Sequence, residues 1–94
     1  MIASFGDRAT GALYHGRPAK PRFPPDVVSV ALRKLDLLNA ARTLGDLRSP
    51  PGNRLEALGG DLAGFHSIRV NDQWRLVFRW EGFDVHDVRL IDYH

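Results

Sequence analysis

The 94-residue chain has no cysteine, two lysines, one methionine and no long apolar run. Without cysteine there is neither a disulfide framework nor a thiolate metal site, and a reducing compartment suits every residue present. No segment approaches the roughly 20 apolar residues of a membrane span, and the opening MIASFGDRAT lacks the basic-then-apolar order of an export signal. A cytoplasmic protein, neither exported nor membrane-embedded, is therefore expected. Also missing are a His-x-x-x-His pair, a Walker loop, a dinucleotide fingerprint and a fixed repeat, so no metal, no cofactor and no solenoid is expected. Charge of one sign is not in excess: 13 Lys and Arg stand against 11 Asp and Glu, a net +2 that by itself identifies no nucleic-acid binder.

What is there is a chain of average globular composition, 44% hydrophobic and 26% charged, long enough for one domain spanning residues 1–94. Its cations are eleven arginines and two lysines, a bias that suits planar, bidentate contact with phosphate or carboxylate. MIASF alternates weakly and predicts a short first strand. In GDRATGALYHG, Asp7 fits the first turn of a weak helix, Gly16 its end, and His15 falls near that end. RPAKPRFPP carries four of the six prolines with Arg17, Lys20 and Arg22, which predicts an extended basic connector.

Residues 26–41, DVVSVALRKLDLLNAA, give the clearest element. Val28, Ala31, Leu35 and Leu38 recur at spacings of three and four, and Pro25 suits the first helical position. RTLGDLRSPPGN allows one short helical turn capped by Thr43 before Pro50, Pro51 and Gly52 break it. Beyond Asn53 the period changes to two. RLEAL, GFHSIRV, QWRLVFRW and DVHDVRLIDY read as strands, with hairpin-like connections at Asn71-Asp72 and Glu81-Gly82. Alternation puts Trp74, Leu76, Phe78 and Trp80 on a packed face, leaving Arg75, Val77 and Arg79 on an available one. The pattern predicts an α+β fold in two layers, helices against a twisted antiparallel-rich sheet.

The candidate chemistry follows from that face. Arg75 and Arg79, with Arg69 on the neighbouring strand and the acid, phenol and imidazole of Asp92, Tyr93 and His94 at the end of the last strand, suit an RNA phosphodiester. His66 is expected exposed beside Phe65, and His86 falls in the last hairpin. Asp84, Asp87 and Asp92 read as solvent-facing charges.

The linked blocks PPGNRLEALGGD, SIRVNDQWRLVFRW and the terminal DYH carry a resemblance over nearly the whole chain: it resembles the HigB (plasmid-maintenance killer) branch of RelE/ParE toxins. The resemblance implies the RelE/ParE-like fold and a toxin of a type II toxin-antitoxin module that cleaves messenger RNA on the ribosome without a metal. It implies Arg75 at the transition-state phosphate and Asp92, Tyr93 and His94 as the terminal acid-base and stacking group; the RNA-binding cations expected around them are Arg69 and Arg79 on the sheet face, Arg54, and Arg17, Lys20 and Arg22 of the basic connector. Where some members carry a histidine and a lysine, this chain has Glu56 and Gly59; Glu56 or Asp92 is then the candidate base, with Asp92 alternatively orienting His94. The implied partners are a HigA-like helix-turn-helix antitoxin, the ribosome and its message, with operator DNA reached only through the antitoxin. The rival readings are a ParE-like gyrase poison and a degenerate antitoxin-binding module.

Overall fold

The computed structural model describes residues 1–18 and 23–92. Helices α1 (Arg8–Tyr14) and α2 (Pro25–Ala40) pack on a sheet of β1 (Glu56–Ala57), β2 (Phe65–Arg69), β3 (Trp74–Glu81) and β4 (Asp84–Asp92). Each strand pairs antiparallel with the next, in the order β1-β2-β3-β4. The expected α+β meander is what forms. Lys20 and Arg22 of the proline-rich connector lie outside the described residues, as do Tyr93 and His94.

The first strand takes a reduced form: Ile2 and Phe5 bridge in parallel to Val85 and Val88. The Ala3 amide donates to the Val85 carbonyl at 2.7 Å and Gly6 to Val88 at 2.9 Å, closing the outer edge of β4. Gly6 is required there, because a Cβ would come within 2.4 Å of the Arg89 side chain.

Asp7 proves to be the N-cap of α1 rather than a first-turn residue, its carboxylate accepting from the Thr10 amide at 2.7 Å. Seven residues of poor propensity would not hold a helix alone. The buried Thr10 hydroxyl ties it down by accepting from the Leu90 amide at 2.9 Å.

Pro25 occupies the first turn of α2, where its missing N–H costs nothing. The buried stripe is Val27, Ala31, Leu35 and Leu38, so Val27 replaces the expected Val28, which is half-buried. Both valines sit at helical spacing from Ala31, and only the sheet decides between them. The stripe packs on Ile68, Leu76, Phe78, Val85, Val88 and Leu90. Each large side chain so enclosed contributes on the order of 1.5–3 kcal/mol of transfer free energy. Thr43 caps a 3₁₀ turn at Leu44–Arg48 in a reciprocal capping box with Asp46.

β4 departs from simple alternation. Val77 pairs with Arg89 but Arg79 pairs with His86, so β4 carries one extra residue, and Asp87 takes φ 55. Without that bulge Val85 and Val88, three apart, could not both face the core.

Candidate active site

On the sheet face away from the helices, cross-strand register sets side chains in rows. Arg69 stands opposite Arg75, and Arg75 opposite Ile91. Glu56, Ser67, Val77 and Arg89 form the next row, and Phe65 and Arg79 the one beyond. The expected open face is not open throughout. Arg89 on β4 places its guanidinium 5.9 Å from the ring centroid of Phe65 on β2, crossing β3 and accounting for the burial of Val77. This bridge separates the Arg75 end of the face from the Arg79 end.

At the first end Arg75 is itself buried, at 7% exposure. One guanidinium nitrogen donates to the Ser67 hydroxyl at 2.7 Å and lies 3.2 Å from a Glu56 carboxylate oxygen; another donates to the Arg54 carbonyl at 3.3 Å. Burying a guanidinium is costly unless its donors are met and its charge paired, and these contacts do both. They also fix the plane of the fork, while Glu56 remains 53% exposed and reachable from solvent.

The carbonyl of Arg54 is aimed by local backbone. Pro51–Asn53 forms a 3₁₀ turn, and Arg54 follows it in the left-handed region at φ 45. The turn is pinned by Asn53, fully buried, whose amide nitrogen donates to the carbonyls of Leu47 and Ser49 at 3.1 and 3.2 Å. Lys34 of α2 donates to its oxygen. Asn53, Ser67 and Lys34 were not among the sequence candidates. Asn53 stands in a turn-forming stretch, PPGN, where asparagine ordinarily faces water, and nothing local signals its burial.

The second end differs. Arg79 donates to Glu81 at 2.5 Å and to Asp87 at 3.2 Å, and both carboxylates raise its already high pKa. Asp87 is thereby bonded and half-buried rather than simply solvent-facing, and its amide donates to the Ser4 hydroxyl at 2.9 Å. Arg69, in the first row, pairs with Asp72.

Asp92 pairs in register with Trp74, one position from Arg75, so alternation assigns it to the helix-side face at the sheet's end. Its carboxylate accepts from the side-chain Nε2 of Gln73 at 2.9 Å. Arg17 is exposed after α1, its amide bonded to the Ala12 carbonyl. His66 is half-buried, stacked on Phe78 at 6.3 Å, because its register partner is that core residue. The structure therefore gathers Arg75, Glu56, the Arg54 carbonyl and, by register, Arg69, while Arg79 sits in its own clasp and Asp92 has the parity of the other face. Among the described residues no three His, Asp or Glu side chains converge as a metal site, and no helix is long and apolar enough to cross a membrane.

A buried arginine facing an accessible carboxylate on a sheet face is an arrangement for binding an anion beside a proton acceptor. Residues 3–94 match the family model described as the RelE-like toxin of type II toxin-antitoxin system HigB. The chain belongs to that family. It is 42% identical over 80 residues to Toxin HigB-1 of Vibrio cholerae, covering 85% of this chain and 84% of that protein. An uncharacterized protein of Haemophilus influenzae is 41% identical over 69 residues, 73% of this chain and 68% of that one. Among solved structures, the YoeB-YefM complex from Staphylococcus aureus superposes with TM-score 0.58 at 16% identity, covering 100% of this chain and 98% of the other. The YoeB/ParE toxin from Agrobacterium tumefaciens gives 0.53 at 21%, over the whole of both chains. This HigB-like toxin has the RelE/ParE-like fold that its sequence predicts.

Proposed function

We propose that this HigB-like toxin is a ribosome-dependent endoribonuclease that cuts messenger RNA at the Arg75–Glu56 site. The observation that carries the reading is the buried guanidinium of Arg75, oriented by Ser67 and the Arg54 carbonyl, with Glu56 at 3.2 Å. Glu56 takes the proton of a ribose 2′-hydroxyl, and that oxygen attacks the adjacent phosphorus. The bond to the 5′-oxygen breaks, leaving a 2′,3′-cyclic phosphate, and an acid protonates the departing oxygen. Arg75 stabilises the charge that builds on the non-bridging oxygens.

Glu56, in contact with Arg75, suits the base better than Asp92, whose register parity is that of Trp74. Asp92 then orients His94, the acid, and Tyr93 stacks on a base. Arg54 and Arg69 border the phosphate, and Arg17, Lys20 and Arg22 extend the cationic track. The ribosome supplies the bent substrate geometry, which permits a sparse catalytic set. A HigA-like helix-turn-helix antitoxin neutralises the toxin and carries the contact with operator DNA.

Mapping RNA 5′ ends after brief induction tests the reading. In-frame cuts in translated messages, lost in Arg75→Ala and Glu56→Gln, are expected. Growth arrest with gyrase-linked DNA breaks and no new RNA ends would replace it with the gyrase reading. Harmless accumulation of folded protein would leave an antitoxin-binding module.

A further inference from the structure

The proposed machinery leaves one half-buried cation unexplained. Lys34 sits beside the apolar stripe of α2, and its ammonium donates to the neutral side-chain oxygen of Asn53. Among the described residues neither Lys34 nor its neighbour Arg33 has a carboxylate within ion-pair distance. Burial pushes the Lys34 amine below the ordinary lysine range, and the charges of Arg33 and Arg69 push it further the same way. Lys34 thus stands where α2 meets the Pro51–Asn53 turn, with Arg33 beside it in sequence and the Arg69 charge close enough to act on it. Asp72, which pairs with Arg69, is 98% exposed and anchored to little else.

Crowding of like charges disfavours the charged forms, and a bound anion reverses that cost. The position fits an anion of one kind. Arg69 is the cross-strand partner of Arg75, with Cα atoms about 5 Å apart by register, and Asn53, the acceptor for Lys34, immediately precedes the Arg54 carbonyl that holds Arg75. Two long side chains on adjacent positions of one face can serve neighbouring phosphates of one strand. We infer that Arg33, Lys34 and Arg69 form a second phosphate site, which holds the RNA backbone next to the phosphate at Arg75. The inference rests on the RNA reading above and adds the residues that set the strand's path past the cutting site.

The test uses the full-length protein and a 2′-O-methyl RNA octamer, which lacks the attacking hydroxyl and is not cut. Binding is measured across a salt series for the wild type, Lys34→Gln, Arg33→Gln, Arg75→Ala and, as a control on α1, Arg8→Gln. Loss of one phosphate contact lowers the slope of log K against log salt by about 0.7 for a single strand. That decrease is expected in Lys34→Gln and Arg33→Gln, with several-fold weaker binding at low salt, and not in Arg8→Gln. Glutamine at 34 keeps an amide donor for Asn53, so the unfolding temperature should hold or rise. Unchanged slopes in both variants, beside a reduced slope in Arg75→Ala, overturn the second site and leave the RNA reading standing. Absence of salt-dependent RNA binding in the wild type overturns both. Should Lys34→Gln fail to fold, Arg33→Gln, at an exposed position, decides alone. Unchanged RNA slopes with weakened binding of a polyglutamate peptide would assign the cluster to an acidic protein segment instead.

Discussion

Arg75 and Arg79 lie on one strand, on one face, four residues apart, and the fold treats them in opposite ways. Arg75 is buried and held by a hydroxyl, a backbone carbonyl and an accessible carboxylate. Arg79 is more than a third exposed and clasped by Glu81 and Asp87. Exposure alone would favour Arg79 as the phosphate ligand, and the geometry favours Arg75. A buried, pre-oriented fork acts on charge in a medium that screens little, whereas an exposed arginine must first give up its carboxylates.

Substitutions at four positions test this contrast, beginning with the largest effect. Arg75→Ala should lower single-turnover cleavage on programmed ribosomes by about 100- to 1000-fold, and Arg75→Lys should not restore it, because a point charge cannot replace the fork. Arg79→Ala in the same assay should stay within about threefold; an equal loss in both would erase the distinction. Next, Asn53→Ala leaves the Leu47 and Ser49 carbonyls and the Lys34 ammonium without their partner. Chemical denaturation should show about 2–4 kcal/mol lost.

Ser67→Ala removes one support of Arg75 and should cost about 1 kcal/mol of stability, with cleavage falling more than RNA affinity. The smallest effect concerns acid. Hydrogen bonding to Arg79 holds the Glu81 carboxyl below its ordinary value, so the pair's stabilisation is present above that value and is lost as pH falls through the folded one. Arg79→Ala should therefore flatten the acid limb of the unfolding temperature against pH. An unchanged limb would mean that the clasp contributes nothing to the folded state.

Much of this contrast could not be read from sequence. Period-two alternation correctly placed Trp74, Leu76, Phe78 and Trp80 against the core, and helical spacing found α2 to within a residue at each end. Local chemistry also sufficed for the Thr43 cap and the hairpin at Gly82. Apart from the placing of Asp7 as a cap, the failures are mostly non-local. Alternation assigned Arg75 and Arg79 to one open surface, and only Arg89, reaching across from β4, divides it. The bulge at Asp87 left a trace in the three-residue spacing of Val85 and Val88, which a strict period of two passes over. Lys34 and Asn53 meet across 19 residues of sequence, a contact no short motif encodes. Family resemblance supplied Arg75 and Glu56 as candidates; which oxygen atoms hold Arg75, and that it is buried, came from the folded chain.

The parallel pairing of residues 1–6 with β4 orders events in time. Bonds such as those from Ala3 to Val85 and from Leu90 to Thr10 join stretches about 80 residues apart, so their loop-closure entropy is met only when almost everything between is in place. The opening segment gains its strand partner only once residues 84–92 exist, whereas α1 also packs on α2. β4 serves at once as partner of β3, seat for residues 2–6 and tether for α1. The four-stranded sheet is therefore complete only when residues 84–92 have joined it, although Arg54, Glu56 and Ser67, which hold Arg75, all precede β3.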